Sequence, residues 1–329
     1  MAIQPIGTVV VSTQASSPST LTPAGTYNGG YKNAQTVRLR IGNGGAGQAG
    51  LVGELADAFI RWWCVQGPGS KSPHEAPFLV EWYLGDTTQS LSYLSTGWVD
   101  IALTYNEAAE MTLIRKGSAV ERQLVFFDHF YIVGPPSNPA GLCPEDSVLD
   151  ISGKIVVSGN QDILIPPDST VRPPTRFLTR FDKSATNIKE NELFIAIGQV
   201  PWALPPALWY HIYPRFPAQA LHAASVLQEY TLTDRGMWLS GEKGVRDGLK
   251  VYKGKLNLGA NNSTLDDHSE SDDTVLLNPC SALLGASARD KQLATQFMQW
   301  LIAPDGGQKV IKEFVKNGEQ LFQPRFPGV

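Results

Sequence analysis

The sequence predicts an α/β protein built as two lobes, and three observations carry that prediction. A β-like run, a glycine-rich turn and an amphipathic helical pattern follow one another directly between residues 37 and 64. Two further strand-like runs, at 78–83 and 99–104, alternate with a helical stretch, the spacing of a parallel sheet with right-handed crossovers. A second α/β stretch begins after the break Gly134-Pro135-Pro136, and an apolar run at 275–277 leads back to a closing pair of helices. A chain of 329 residues has room for two ordinary domains. With crossings near 131–136 and 274–280, the expected division is an extended arm at 1–35, lobe I from 36–132 plus 276–329, and lobe II from 133–275.

The arm is rich in Ser, Thr, Gly and Pro and holds one β-like run, Thr8-Val9-Val10-Val11. Residues 37–41 form a strand that runs into Gly42-Asn43-Gly44-Gly45-Ala46-Gly47, which opens a helix over 49–64. This turn strips away side chains where a helix start offers unpaired N–H groups, a setting that suits an anion. It also matches the Gly-x-Gly-x-x-Gly of dinucleotide-binding turns, and a plain strand-to-helix crossover would read the same. A ribose-binding acid belongs about 20 residues further on, whereas Glu81 and Asp86 lie roughly twice as far, so a nicotinamide-dependent oxidoreductase is the weak alternative. Asp86-Thr87-Thr88 opens the next helix, with Asp86 or Thr87 as its N-cap. A longer strand covers 124–133. Beyond the Gly-Pro-Pro break the expectations are a strand at 154–157, a helix containing Glu190 to Phe194, a helix at 218–228, and strands at 230–232 and 251–256. A polar loop spans 259–273, and the last helices occupy 290–301 and 307–317.

Composition narrows the function. Hydrophobic residues at 42% and charged residues at 18% describe a globular chain. A net charge of −4 without any Lys/Arg-rich run argues against general nucleic-acid binding. No apolar stretch reaches membrane-spanning length, so direct membrane insertion is not expected. Residues 1–17 lack the basic start and long apolar core of a secretory signal, which leaves an intracellular protein or one whose signal is missing from this chain, the compartment open. Cys64 reads as a core residue, and spacing alone leaves open whether Cys143 and Cys280 pair.

The most telling charge is Arg180, in Thr179-Arg180-Phe181-Asp182-Lys183-Ser184-Ala185-Thr186-Asn187 ahead of a helix. A guanidinium beside a hydroxyl-rich helix start is a good oxyanion clamp, since its fork meets oxygen pairs two at a time. On local sequence alone a plain capping segment accounts for the same residues. The starts at 42–47 and 86–88 both follow parallel strands, whose carboxyl ends converge where ligands bind in open α/β sheets. His129 reads as a core histidine within an apolar strand. The acidic run 266–273 would serve a hard cation or a solvated loop.

Several separated segments together resemble the tungstate-binding solute-binding proteins of oxyanion ABC importers. They include Val99-Asp100-Ile101-Ala102-Leu103, Phe130-Tyr131-Ile132-Val133-Gly134-Pro135-Pro136, Tyr230-Thr231-Leu232-Thr233-Asp234-Arg235-Gly236, Leu276-Leu277-Asn278-Pro279 and Asn317-Gly318-Glu319-Gln320-Leu321-Phe322. The resemblance implies a periplasmic-binding-protein-like fold of type II, two α/β lobes joined by a two-strand hinge. It also implies a small oxyanion in the cleft, no catalysis, no cofactor, no metal ion, and a membrane transporter as partner of a monomer. By position its ligand segments fall on Asn43, Gly44, Gly45 and Ala46, on Thr87 and Thr88, and on Arg180, Ser184 and Thr186. The first segment carries no hydroxyl, Asp86 stands where the family has glycine, and Asn187 where it has histidine. Other oxyanions and carboxylate-bearing solutes therefore stay open as ligands, as do a metal-ion-binding module and a degenerate binding module that serves a protein partner.

Overall fold

The computed structural model describes residues 21–67, 77–182, 184–254 and 272–325. The first half runs β1 (Gly25–Tyr27), β2 (Val37–Asn43), α1 (Gly45–Ala49), α2 (Leu51–Val65), β3 (Leu79–Leu84), α3 (Thr87–Ser95), β4 (Ile101–Thr104) and α4 (Glu107–Arg115) into the long strand β5 (Ala119–Gly134). The second lobe follows with α5 (Val148–Leu164), β6 (Phe177–Thr179), α6 (Ala185–Ala196), β7 (Tyr210–Ile212), α7 (Pro217–Leu227), β8 (Tyr230–Asp234), α8 (Arg235–Ser240), α9 (Lys243–Asp247) and β9 (Lys250–Lys253). The chain returns through α10 (Asp272–Val275) and β10 (Leu277–Gly285) and closes with α11 (Lys291–Leu301), α12 (Gly307–Glu313), β11 (Val315–Lys316), β12 (Glu319–Gln320) and β13 (Gln323–Pro324).

The strand order β1-β3-β2-β4-β10-β5-β8-β6-β7 puts the two crossing strands, β5 and β10, at the centre. On the first side β2 pairs in parallel with both β3 and β4, as the alternation of strands and helices requires. On the second side β6 pairs in parallel with β7 and β8. β5 belongs to both: it pairs with β10 up to His129 and with β8 from Phe130 onward. Two main apolar clusters follow that division. One gathers Leu39, Phe59, Trp63, Phe126 and Phe297, and the other Phe130, Ile151, Phe177, Phe194 and Tyr230. The fold is of the type II periplasmic-binding-protein kind.

Most expected elements are present, and the departures have local causes. The strand expected at 154–157 is instead the middle of α5. A Ser147/Asp150 capping box starts this helix, and its buried residues, among them Val148, Ile151, Ser152, Ile155, Val156 and Gly159, recur at helical rather than alternating spacing. The helix expected at 49–64 is two, because Gly50 takes φ 101° between α1 and α2. The closing helix stops at Glu313, and Val315–Lys316 turns into a hairpin with Glu319–Gln320. Gly25–Tyr27 of the arm is an edge strand on β3, while the run at 8–11 and the acidic run at 266–271 lie outside the described residues. Among the described residues no disulfide forms: Cys143 is exposed in lobe II and Cys280 buried among lobe I side chains.

Candidate functional site

A cavity of about 490 Å³ lies between the lobes, where the strands end and helices begin. Five helix starts open on it: Gly44 before α1, Asp86 before α3, Ser184 before α6, Phe216 before α7 and Asp234 before α8.

The lobe I wall is mainly main chain. Gly44 caps α1 with no side chain, and a Cβ there would meet the Gly85 carbonyl at 2.9 Å, so the two turns of this wall touch. Asn43 is buried beneath them. Its Nδ2 donates to the Leu103 carbonyl at 2.9 Å and its Oδ1 accepts from the Gly47 N–H at 2.6 Å. The Trp82 indole N–H donates to the Asn43 carbonyl at 2.9 Å. Asn43 thus ties β2 to β4 and fixes the turn from below. At α3 the Asp86 carboxylate accepts from Gln89 N–H at 2.8 Å, and the Gln89 side chain accepts from Asp86 N–H at 3.0 Å.

The lobe II wall is made of side chains. Arg180 follows β6, and its Nε donates to Asp182 Oδ2 at 2.8 Å, with Nη2 donating to the same oxygen. Asp182 Oδ1 accepts from Ser184 N–H at 3.1 Å, and Ser184 Oγ caps α6 by accepting from Asn187 N–H at 3.3 Å. Behind this strap sits Glu190, 2% exposed, whose Oε1 accepts from Thr179 Oγ1, from Asn187 Nδ2 at 2.9 Å and from the Tyr210 hydroxyl at 2.9 Å. Burial pushes the Glu190 carboxyl up to about 7 against the pull of those donors.

The floor holds Leu103, Tyr105, Asp128, Asp234 and Asn278. Burial drives the Asp128 carboxyl well above its usual range and the charge of Asp234 adds to this; burial also raises Asp234, opposed by the Met237 N–H and by Arg180. Among the described residues lining the cavity, Arg180 stands as the cation among four aspartates, Asp86, Asp128, Asp182 and Asp234.

Of the residues expected to bind, the cavity brings together Gly44, Gly45, Thr87, Arg180, Ser184 and Thr186. Asn43 and Ala46 are buried beneath lobe I, and Thr88 is exposed on α3 outside the lining. The floor residues Asp128, Asp234 and Asn278 escaped sequence reasoning. A signal for one existed: Asp128 is a charge inside the apolar run Val125-Phe126-Phe127-Asp128-His129-Phe130, and a buried polar residue is the informative kind.

Two α/β lobes that meet at a cleft over a pair of crossing strands are the architecture of the type II periplasmic-binding-protein class. The comparisons with known proteins agree: the model of the PBP superfamily domain matches residues 71–305, and the chain belongs to that superfamily. A solved periplasmic protein, provisionally described as metal-binding, is 44% identical, with a TM-score of 0.77 over 91% of this chain and 98% of its own. A Haloferax volcanii protein, provisionally described as the anion-binding protein of an ABC transporter, is 27% identical over 72% of this chain. The tungstate-binding protein TupA of Peptoclostridium acidaminophilum is 26% identical over 72% of this chain and 72% of its own. The match spans 61% of the Haloferax protein's length.

Proposed function

We propose that this protein is a monomeric solute-binding protein that closes its lobes over a small oxyanion of the tungstate or molybdate kind. It releases the anion chemically unchanged, with a membrane transporter as acceptor. The observation that carries this reading is the gathering of five helix starts and the Arg180 guanidinium around one cavity. Unpaired N–H groups and a guanidinium both favour an anion. The amides of residues 44–46 and the Thr87 hydroxyl would receive it from lobe I, with Thr88 at the edge. Arg180, Ser184 and Thr186 would close from lobe II by rotation about β5 and β10. Asn43 then acts by holding the turn. We place the lobe boundary in β5 at residues 129–130, since Phe130 already packs in the second core.

Tungstate and molybdate are oxyanions of metals, so relatives described as metal-binding and as tungstate-binding suit one site. The four aspartates raise a second reading, a cation held directly. Among the described residues no three His, Cys, Asp or Glu side chains gather closely enough to hold one. Calorimetric titration with tungstate, molybdate, sulfate and phosphate separates the two. Saturable one-to-one heat from at least one anion is expected; silence from all four alongside heat from zinc would overturn the oxyanion reading.

A further inference from the structure

An anion site floored by carboxyl groups needs a physical account, and the geometry of that floor supplies one. Asn278 of β10 stands directly opposite Asp128 of β5, while Asp234 of β8 is paired with Phe130, two residues along β5. Residues so placed share one face of the sheet, as direct and diagonal neighbours. Asp128 and Asn278 are each 6% exposed, yet both border the cavity. The Asn278 side chain makes no hydrogen bond to any described residue. Asp128 engages only Oδ1, which accepts from His129 N–H at 2.8 Å, and Asp234 uses Oδ1 to cap α8 through Met237 N–H at 2.7 Å. The Asn278 amide is buried except where it borders the cavity, so its hydrogen-bonding groups are open to a guest there.

The charged and titratable groups facing this floor supply little compensation. The Arg235 charge opposes the rise at Asp128, but its guanidinium is itself engaged with Tyr131, the Glu319 carboxylate and the Gln320 carbonyl. Arg180 reaches toward Asp234 but shares its charge with Asp182. Burial holds the Tyr105 hydroxyl and the Cys280 thiol neutral. If both floor carboxyls were ionised they would repel any anion, because a carboxylate can only accept hydrogen bonds. A carboxyl that keeps its proton becomes a donor, and two carboxyls crowded in a dry site favour keeping one.

We infer that Asp128, Asp234 and Asn278 form a proton-bearing subsite, so that an oxyanion enters this cleft together with one proton held between the guest and the carboxyl pair. This rests on the oxyanion reading of the cleft and deepens it. The proton arrives with the guest or from solvent and leaves on release, and no bond other than that O–H changes. A singly protonated oxyanion brings the proton itself, whereas a fully deprotonated one draws it onto the carboxyl pair. Either way, raising the pH weakens binding.

Calorimetry in two buffers of different ionisation enthalpy counts the protons taken up. Tungstate and sulfate are the informative probes, because neither ion holds a proton near neutral pH and any uptake is then the protein's. Uptake of up to one proton per anion is expected once the pH is high enough to deprotonate the empty floor, with affinity falling there by about tenfold per pH unit. Asp128→Asn and Asp234→Asn keep the shape of the floor, and Asn still caps a helix. Each should flatten the affinity profile and abolish most of the uptake. Wild-type binding with no proton uptake and no loss of affinity at alkaline pH, or uptake unchanged in both variants, would overturn the inference and leave the oxyanion reading standing. Failure of all four anions to bind at any pH would overturn that reading and the inference with it.

Discussion

The two walls of the cleft hold their functional groups in opposite ways. Lobe I presents main chain: the Gly44–Gly45 turn is fixed from beneath by Asn43, which is itself bonded to β4 and to Trp82. Lobe II presents side chains, with Arg180 steadied by Asp182 and the strap behind it tied to a buried, titratable Glu190. One wall therefore takes its geometry from the sheet, and the other from polar contacts that respond to charge. Substitutions should divide along the same line: on lobe I they act through shape, on lobe II through electrostatics.

The largest effect is expected at Arg180. Arg180→Ala removes the charged donor of lobe II, and hydrogen bonds to charged groups contribute about 1.5–3 kcal/mol each, so affinity should fall on the order of 100-fold. Stability should barely move, because the ion pair with Asp182 is partly exposed. Titration with the tightest of the four anions and a thermal melt check both halves. Affinity that survived would shift the anchor of the anion to lobe I.

Of comparable size is the effect at Glu190. Its folded-state carboxyl lies at about 7 against an ordinary 4.5, so the folded protein holds this proton more tightly than the unfolded chain does. The stability this confers is fully present below pH 4.5 and is lost as pH rises through about 7, a swing of up to roughly 3 kcal/mol. Melting temperature should decline over that window, and Glu190→Gln should flatten that part of the decline. A decline of equal size in the variant would place its cause outside lobe II's strap.

Much of this division was legible in the sequence, for identifiable reasons. α3 and α6 could be placed because Asp86 and Ser184 announce their starts, and the same residues mark the cleft. α5 was misplaced because Ile155-Val156-Val157 is a short β-branched run, and only packing distinguishes a buried strand from a buried helix at that length. β6 and β7, three residues each, are too short for any periodicity to show. The clamp on lobe II was legible because Arg180, Ser184 and Thr186 lie within one short stretch of the chain. The floor was not, since Asp128, Asp234 and Asn278 come from three strands that only the topology brings together.

Shape effects on lobe I are smaller and sharply local. A Cβ at Gly47 would lie 2.3 Å from the Trp82 ring, which in turn holds the Asn43 carbonyl. Gly47→Ala should therefore destabilise the protein by about 1–3 kcal/mol. Gly45→Ala meets open space and should stay within about 0.5 kcal/mol of wild type. Denaturant melts of the pair would show whether the turn is tightly packed or merely glycine-rich, and equal losses would count against the packing account.

The smallest expected effect comes from two neighbours of identical chemistry. Thr87 and Thr88 begin α3, and successive helical residues are turned about 100° apart. That rotation places Thr87 against the cavity and Thr88 in solvent. A neutral hydroxyl donor contributes about 0.5–1.5 kcal/mol, so Thr87→Ala should weaken anion binding by roughly threefold to tenfold. Thr88→Ala should leave affinity and melting temperature unchanged. Equal losses from the two would mean that α3 rolls when the lobes close, and that the lobe I wall is less fixed by its sheet than the contacts of Asn43 imply.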